Sequence, residues 1–528
     1  MELAFFSFML FFSASAQAGP IYSETISTAR EILWNAVTSG GINCAAVAVM
    51  DSGQIVYSEG FGAADRSTNR PADGKTRFNI GSTSKMFAAA AILILADENK
   101  LTLDDPVVKH LPEFVMNDPR HRDITIRMLF NHSSGLPGST FTFSYRADDN
   151  PHLILLETLK ECSLKHDPGA MSIYCNDGFT LAEMIVERVS GMDFIKFLSA
   201  KVFLPLGMNS TGASLGASGG SCAEYYDNDG KKYPMEAITV LGAGGLSSTV
   251  EDLCRFSEAF MPGGKSIFSP SSLKEILSPQ ATPFSKDLKG QALLDAFGWD
   301  YALLPDFQAL GHQMVGKSGG SVFYSTNLQI LPSKGLSVAV IFSGHGAAER
   351  ATYKIMEALM KEKGLSVPAY SPLSVPVVPE PIPEELLVHA GYYVDSEKAA
   401  LFEFDRDKGF LTVRFLQQPE AAPSSSSLVL VYNGGFFHDL DEERKYYFIG
   451  SGEKTFLVLS KIPRYGADIP FFQKITVTES PQSLLTNMKD TVWLLRNGSP
   501  FLQSADSLLV RSSTIPELPG YVNFWGLK

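Results

Sequence analysis

Charge is scarce in this chain of 528 residues: only 19% are Asp, Glu, Lys or Arg, against roughly a quarter in an ordinary soluble domain. Cations are the scarcer sign, 44 Lys and Arg against 57 Asp and Glu for a formal charge of −13, and nowhere do they gather into a patch. Nucleic-acid binding needs a cationic face, so no such partner is expected. Cysteine is limited to Cys44, Cys162, Cys175, Cys222 and Cys254, none of them in a C-x-x-C pair, so neither a metal site nor any other cofactor is expected. Their odd number leaves at least one thiol without an intramolecular bridge, and burial as small hydrophobes is as good a reading as pairing. Glycine (44) and proline (30) stand near average usage, which excludes a collagenous or low-complexity chain, and there is no internal repeat.

Long apolar runs are also lacking, except for Leu3–Ser13, which is followed by the small-residue stretch Ala14-Ser-Ala-Gln-Ala18. The run falls short of the ~20 residues that a spanning helix needs. It predicts a signal peptide over residues 1–18, although Glu2 stands where a positive residue is usual, so an uncleaved anchor is the alternative. A secreted or periplasmic protein with no stable membrane span after signal removal is the expectation.

What the chain does contain is apolar residues, 45% of the total, in a length that allows roughly two to four globular domains. Strand-like Ala45-Ala-Val-Ala-Val-Met50, a turn at Asp51-Ser-Gly53 and helical Phe87-Ala-Ala-Ala-Ala-Ile-Leu-Ile-Leu95 predict an α/β or α+β domain over residues 19–365. Six prolines (Pro368, Pro372, Pro376, Pro379, Pro381, Pro383) mark a stiff linker over 366–386. Beyond it, the short apolar runs 410–415, 446–449 and 456–459, with a turn at Asn433-Gly-Gly435, predict an all-β, barrel-like domain over 387–528.

Three constellations could carry chemistry. Gly81-Ser82-Thr-Ser-Lys85 opens the alanine-rich helix, which places Lys85 one turn from Ser82 on the same face. A serine hydroxyl is a weak nucleophile until a neighbouring base takes its proton, and an amine disfavoured as a cation by burial is such a base. The spacing alone proves little, since it recurs at Ser271/Lys274 and Ser451/Lys454. Tyr174-Cys-Asn176 offers a phenol to share the proton and an amide to hold a substrate amide. Gly316-Lys317-Ser318-Gly319-Gly320 leads into alternating residues that predict a strand, with glycines that let a substrate approach the backbone and an N–H at Gly320 for an oxyanion. Gly311-x-x-x-x-Gly316-Lys317-Ser318 also matches a phosphate-binding loop in form, but that loop requires a helix after the lysine, where strand residues follow here, so no nucleotide is expected.

In the order Ser82-x-x-Lys85, Tyr174-x-Asn176, Lys317-Ser318-Gly319, these elements resemble the serine β-lactamase and penicillin-binding protein superfamily, and the tyrosine motif resembles its class C branch. Phe78-Asn-Ile-Gly-Ser82, His132-Ser-Ser-Gly-Leu-Pro137 and Ala243-Gly-Gly-Leu-Ser-Ser-Thr249 extend the likeness over about residues 25 to 360. The resemblance implies a β-lactamase/transpeptidase-like domain with an antiparallel sheet and a helical region. It implies that Ser82 is acylated and that Lys85 and Tyr174 share the proton transfers. Asn176 would bind the substrate amide, Lys317, Ser318 and Gly319 would line the substrate site with Lys317 near a substrate carboxylate, and the backbone N–H groups of Ser82 and Gly320 would form the oxyanion hole. Cys175 and Ser318 depart mildly from the family's usual residues and remove no functional group.

Blander readings suit the rest: His132 as a structural hydrogen-bonding residue in a turn, and Asp104, Asp105, Glu251 and Asp252 as helix caps and first-turn acids rather than a metal cluster. The expected function is an exported serine hydrolase acting on a small peptide (D-amino-acid type), ester or β-lactam substrate; a non-catalytic binder of cell-wall peptides or proteins is the alternative. The β-rich C-terminal part resembles the accessory barrels of D-aminopeptidase-like members, which favours amides and esters. Because every site residue precedes Gly320, a chain ending near Lys363 is expected to keep its acylation chemistry.

Overall fold

Cys44–Asp51 is buried at every position, which fits a strand apolar on both faces. It forms the middle of an antiparallel sheet built from β1 (Cys44–Asp51), β2 (Gln54–Asp65), β3 (Arg70–Pro71), β4 (Val315–Gly320), β5 (Tyr324–Leu331) and β6 (Leu336–Ser343), in the order β4-β5-β6-β1-β2-β3. The β1–β2 hairpin turns through Ser52 and Gly53, both with positive φ (52° and 79°), the backbone that a tight hairpin requires. The computed structural model describes residues 22–39, 41–138, 150–214, 222–292, 296–369, 377–395, 399–416, 427–441, 444–451, 454–460, 467–477, 492–494, 509–514 and 522–526. The leader expected at 1–18 and the middle of the proline-rich segment lie outside them.

Alternation sends successive β1 side chains into two cores. Ala45, Val47 and Val49 face α1 (Ser23–Thr38) and the last helix before the prolines, Ala348–Glu362, through Ala29, Leu33, Ile355 and Leu359. Cys44, Ala46, Ala48 and Met50 face the larger core, which holds α2 (Lys85–Asp97), α3 (Asp177–Ser190) and α4 (Val250–Ser257). Helix α2 is buried from Lys85 to Leu95. A helix apolar on all sides must be enclosed on all sides, and its run of alanines lets its neighbours come close. Thr249 caps α4 by accepting the Asp252 N–H, and Glu251 and Asp252 occupy its first turn, as expected of those acids.

The segment after Lys317 continues as β5 and not as a helix. None of the five cysteines forms a disulfide; four are buried and Cys162 is half-buried. Among the described residues no group of His, Cys, Asp and Glu is arranged to hold a metal ion, and no helix is long and apolar enough to cross a membrane.

The C-terminal part contains a closed eight-stranded meander: β7 (Gly391–Val394), β8 (Ala399–Asp405), β9 (Phe410–Leu416), β10 (Ser427–Asn433), β11 (Phe436–Asp439), β12 (Arg444–Ser451), β13 (Lys454–Ser460) and β14 (Ala467–Lys474), with β7 pairing back onto β14. Tyr393 and Val394 pair with Lys474 and Gln473 to close the sheet. Its core holds Tyr393, stacked 3.9 Å from Phe402, with Leu411, Leu430, Phe437 and Phe472. The proline-rich segment is not wholly a spacer: Ile382 is buried in the barrel core, and the N–H groups of Glu380 and Ile382 donate to Tyr432 and Arg406 carbonyls.

The two halves share a second apolar cluster. Phe436, Tyr447, Ile449, Phe456 and Val458 of the barrel pack on Met171, Ile173, Phe284 and Leu288. Gln291–Ala292 adds a short parallel strand to β14, and the Gly290 N–H donates to Asp468 at 2.8 Å.

Candidate active site

Ser82 lies in a single 3-10 turn, Gly81–Ser84, that runs directly into α2. The turn is fixed from both sides. The Ile80 N–H donates to Leu246 O, the Leu246 N–H donates to Ser84 Oγ, and Gly81 takes a positive φ of 50°. A Cβ on Gly81 would collide with the Gly320 backbone, and one on Gly319 would fall 2.6 Å from Thr83 Oγ1. Glycine on both partners is what allows β4 to lie against the turn that carries Ser82.

Lys85 is fully buried. Its Nζ reaches Asn176 Oδ1 at 2.6 Å, Ala243 O at 2.6 Å and Ser82 Oγ at 3.1 Å. Two of these partners only accept. With two N–H bonds spent on them, the remaining tetrahedral position faces the serine oxygen, where a neutral amine presents its lone pair. Burial, helped by the charge of Lys317 and opposed by Tyr174, holds the Lys85 ammonium below the usual lysine range.

The Tyr174 hydroxyl donates to Ser82 Oγ at 2.7 Å. Lys85 Nζ lies 4.9 Å and Lys317 Nζ 5.4 Å from the centroid of the Tyr174 ring. Burial would raise the phenol, but Lys317 and Lys85 outweigh it and the net direction is downward. Asn176 begins α3, and the Asn176 and Asp177 N–H groups both donate to Gly138 O, at 2.9 and 2.8 Å. Cys175, between the two motif residues, is buried away from the site, and burial pushes its thiol up to about 11.

Lys317 is on β4, buried, and held by the Asp300 carboxylate and by Ser318 O at 3.0 Å. The ion pair keeps its pKa above the ordinary lysine value despite burial. The second Asp300 oxygen accepts both the Ser318 N–H (2.7 Å) and the Ser318 hydroxyl (2.6 Å). Asp300 reaches β4 through an isolated bridge between Tyr301 and Gly316.

The residues singled out in the sequence therefore converge: Ser82, Lys85, Tyr174 and Asn176 form one hydrogen-bonded cluster, with Lys317, Ser318, Gly319 and Gly320 on the strand beside it. One neighbour went unnoticed in the sequence. Asp300 matches no motif, although one acid among Phe297, Trp299 and Tyr301 is the pattern of a buried, partnered charge. His132 is structural as expected, its Nδ1 accepting the Cys175 N–H at 3.0 Å, but it is also stacked on Tyr174.

A helix-borne serine with its lysine one turn on, facing a tyrosine across the mouth of an antiparallel sheet, defines a class of serine hydrolase. Residues 29–360 match the family model described as Beta-lactamase, and the chain belongs to that family, within the serine β-lactamase and penicillin-binding protein superfamily. It is 27% identical over 302 residues to "Penicillin-binding protein 4*" of Bacillus subtilis (strain 168), covering 53% of this chain and 63% of that protein. It is 30% identical over 187 residues to "Protein flp" of Staphylococcus aureus (strain NCTC 8325 / PS 47), covering 34% of this chain and 36% of that protein. Both alignments thus span less than two thirds of the relative. Among solved structures, the octameric penicillin-binding protein homologue from Pyrococcus abyssi shares the fold with a TM-score of 0.56 at 23% identity, over 85% of this chain and 100% of that one. The D-stereospecific amidohydrolase from Streptomyces sp. does so with a TM-score of 0.51 at 24% identity, over 63% and 97%.

Proposed function

We propose that the protein is an acyl-serine hydrolase of small amides and esters, with D-amino-acid amides and esters ahead of β-lactams, and that it is exported by the leader at residues 1–18. The observation that carries this reading is the convergence of Tyr174 Oη and Lys85 Nζ on one oxygen, Ser82 Oγ. Lys85, neutral, takes the Ser82 proton as Oγ attacks the substrate carbonyl carbon. The new C–O bond turns the carbonyl oxygen into an oxyanion, bound by the backbone N–H groups of Ser82 and Gly320. Collapse breaks the bond to the leaving nitrogen or oxygen, which receives the proton through Tyr174. Water then attacks the acyl-serine, giving its proton back along the same pair and releasing the acid and free Ser82. Asn176 holds the substrate amide and Lys317 keeps positive potential beside the tyrosine. The tilt to amides and esters rests on the barrel and on the likeness in fold to the amidohydrolase.

Intact-mass measurement over a panel of activated esters, D-aminoacyl amides and β-lactams tests this: esters and D-aminoacyl amides should add one acyl group transiently. Absence of any adduct across the panel, with the substrates left unconsumed, would favour a binding protein. N-terminal sequencing of protein secreted by the source organism should begin after Ala18.

A further inference from the structure

Lys317, which the family resemblance places near a substrate carboxylate, and its neighbour Ser318 are already occupied by a carboxylate of the protein itself. Asp300 is buried and uses both oxygens: one on Lys317 Nζ, the other on the Ser318 N–H and hydroxyl. It is held rigidly. Trp299 is fully buried against Phe260, with centroids 5.3 Å apart, and Phe297 stacks on Phe130 at 4.7 Å. The Asp300 N–H donates to Gly316 O at 2.9 Å, and a Cβ on Gly316 would collide with the Tyr301 ring, so glycine there is what lets the Asp300 segment lie against β4.

We infer that Asp300 is a specificity-determining positioning residue that directs the site to substrates whose leaving group is uncharged, such as carboxamides and simple esters, and against those bearing a carboxylate. This rests on the acyl-serine reading above. An incoming carboxylate would have to displace Asp300 from Lys317 and Ser318 or lie beside it as a second anion, with one lysine charge already neutralised. Repulsion of this kind discriminates between substrates more than it lowers turnover of the accepted one. Lys317 keeps its ammonium pointed at Tyr174 in either case, which separates its electrostatic role from anion binding.

Two small activated esters that differ only at this point test the inference on the whole chain: 3-carbamoylphenyl acetate and 3-carboxyphenyl acetate, each corrected for its uncatalysed hydrolysis. The wild-type protein should be acylated by the carbamoyl ester roughly tenfold or more faster than by the carboxy ester. Asp300→Asn keeps the shape and removes the charge, and should bring the ratio to within about threefold by accelerating the carboxy ester. A purely structural Asp300 would slow both esters together and leave the ratio unchanged, which would overturn the inference, as would a wild-type preference for the carboxy ester. The wild-type ratio decides the matter even if Asp300→Asn does not fold. Equal acylation by both esters refutes this inference alone, whereas acylation by neither refutes the acyl-serine reading as well.

Discussion

The imidazole of His132 lies against the ring of Tyr174, centroids 4.5 Å apart and planes 28° from parallel. Its backbone is left-handed at φ 59° and its side chain is fully buried. Burial, with Lys85 and Lys317 nearby, keeps it neutral to well below the usual histidine range. His132 thus acts as a fixed wall that holds the phenol over Ser82 and not as a titrating group.

Replacing it separates these properties. His132→Ala removes the wall, leaves the Cys175 N–H without its acceptor and puts alanine, which tolerates a left-handed backbone less well than histidine, in that turn, for a loss of about 2–4 kcal/mol. Asparagine tolerates that backbone and can accept the N–H. Melting temperatures should fall in the order wild type, His132→Asn, His132→Ala. Acylation should slow by roughly 10- to 100-fold in His132→Ala, part of a full acid–base contribution, and the pH profile should keep its shape.

The lowered Lys85 pKa fixes the sign of the pH dependence. A lysine base works only when neutral, above its pKa, so kcat/KM for acylation should rise with pH through a limb below the ~10.4 of an ordinary lysine. Lys85→Ala and Tyr174→Phe should each cost about 10²- to 10⁴-fold. The double variant should be little worse than the poorer single one, because both serve one proton path. Multiplicative losses would point to a different base.

The glycines of β4 differ in what surrounds them. Gly319→Ala drives a methyl group against Ile80 and Thr83 and should lose about 1–3 kcal/mol of stability while pushing the strand off the Ser82 turn. At Gly320 a Cβ meets nothing within 4 Å, so Gly320→Ala should stay within about 1 kcal/mol of wild type. Urea unfolding of both variants checks the contrast.

Ending the chain after Lys363 removes the barrel face that covers Met171, Ile173, Phe284 and Leu288. It also removes Lys454, whose Nζ donates to Lys165 O at 3.3 Å. From motif positions alone the shortened chain should keep its acylation chemistry. The packing alters that expectation, because Met171–Ile173 leads directly into Tyr174. Exposing those side chains forfeits roughly 1.5–3 kcal/mol each and frees the segment that aims the phenol. Acylation by a small ester should therefore slow at least about tenfold, by an amount comparable to loosening the acid–base pair. An unchanged rate in a chain folded by circular dichroism would show that the barrel acts only on substrate access.

The elements most legible in the sequence are those set by local pattern. The strand from Ala45 to Met50 with its turn at Asp51–Gly53, helix α2, the strand that follows Gly320 and the barrel runs at 410–415 and 456–459 were all readable from alternation, helical periodicity and turn residues. Ser82 and Lys85 come together because four residues make one helical turn. Contacts between distant segments left no such trace. The reach of Asp300 to Lys317 depends on one isolated bridge, and the stacking of His132 on Tyr174 depends on a left-handed turn. The parallel pairing of Gln291–Ala292 with β14 joins residues far apart in sequence. Ile382 reads as linker because proline dominates its neighbourhood, yet its side chain completes the barrel core.

Locating the acyl group is the most direct measurement. After brief reaction with a small activated ester and an acid quench, mass spectrometry of proteolytic fragments should place a single added acyl group on Ser82, and Ser82→Ala should carry none. Labelling that persists in Ser82→Ala, or that maps to Ser271 or Ser451, would contradict the assignment of Ser82 as the nucleophile.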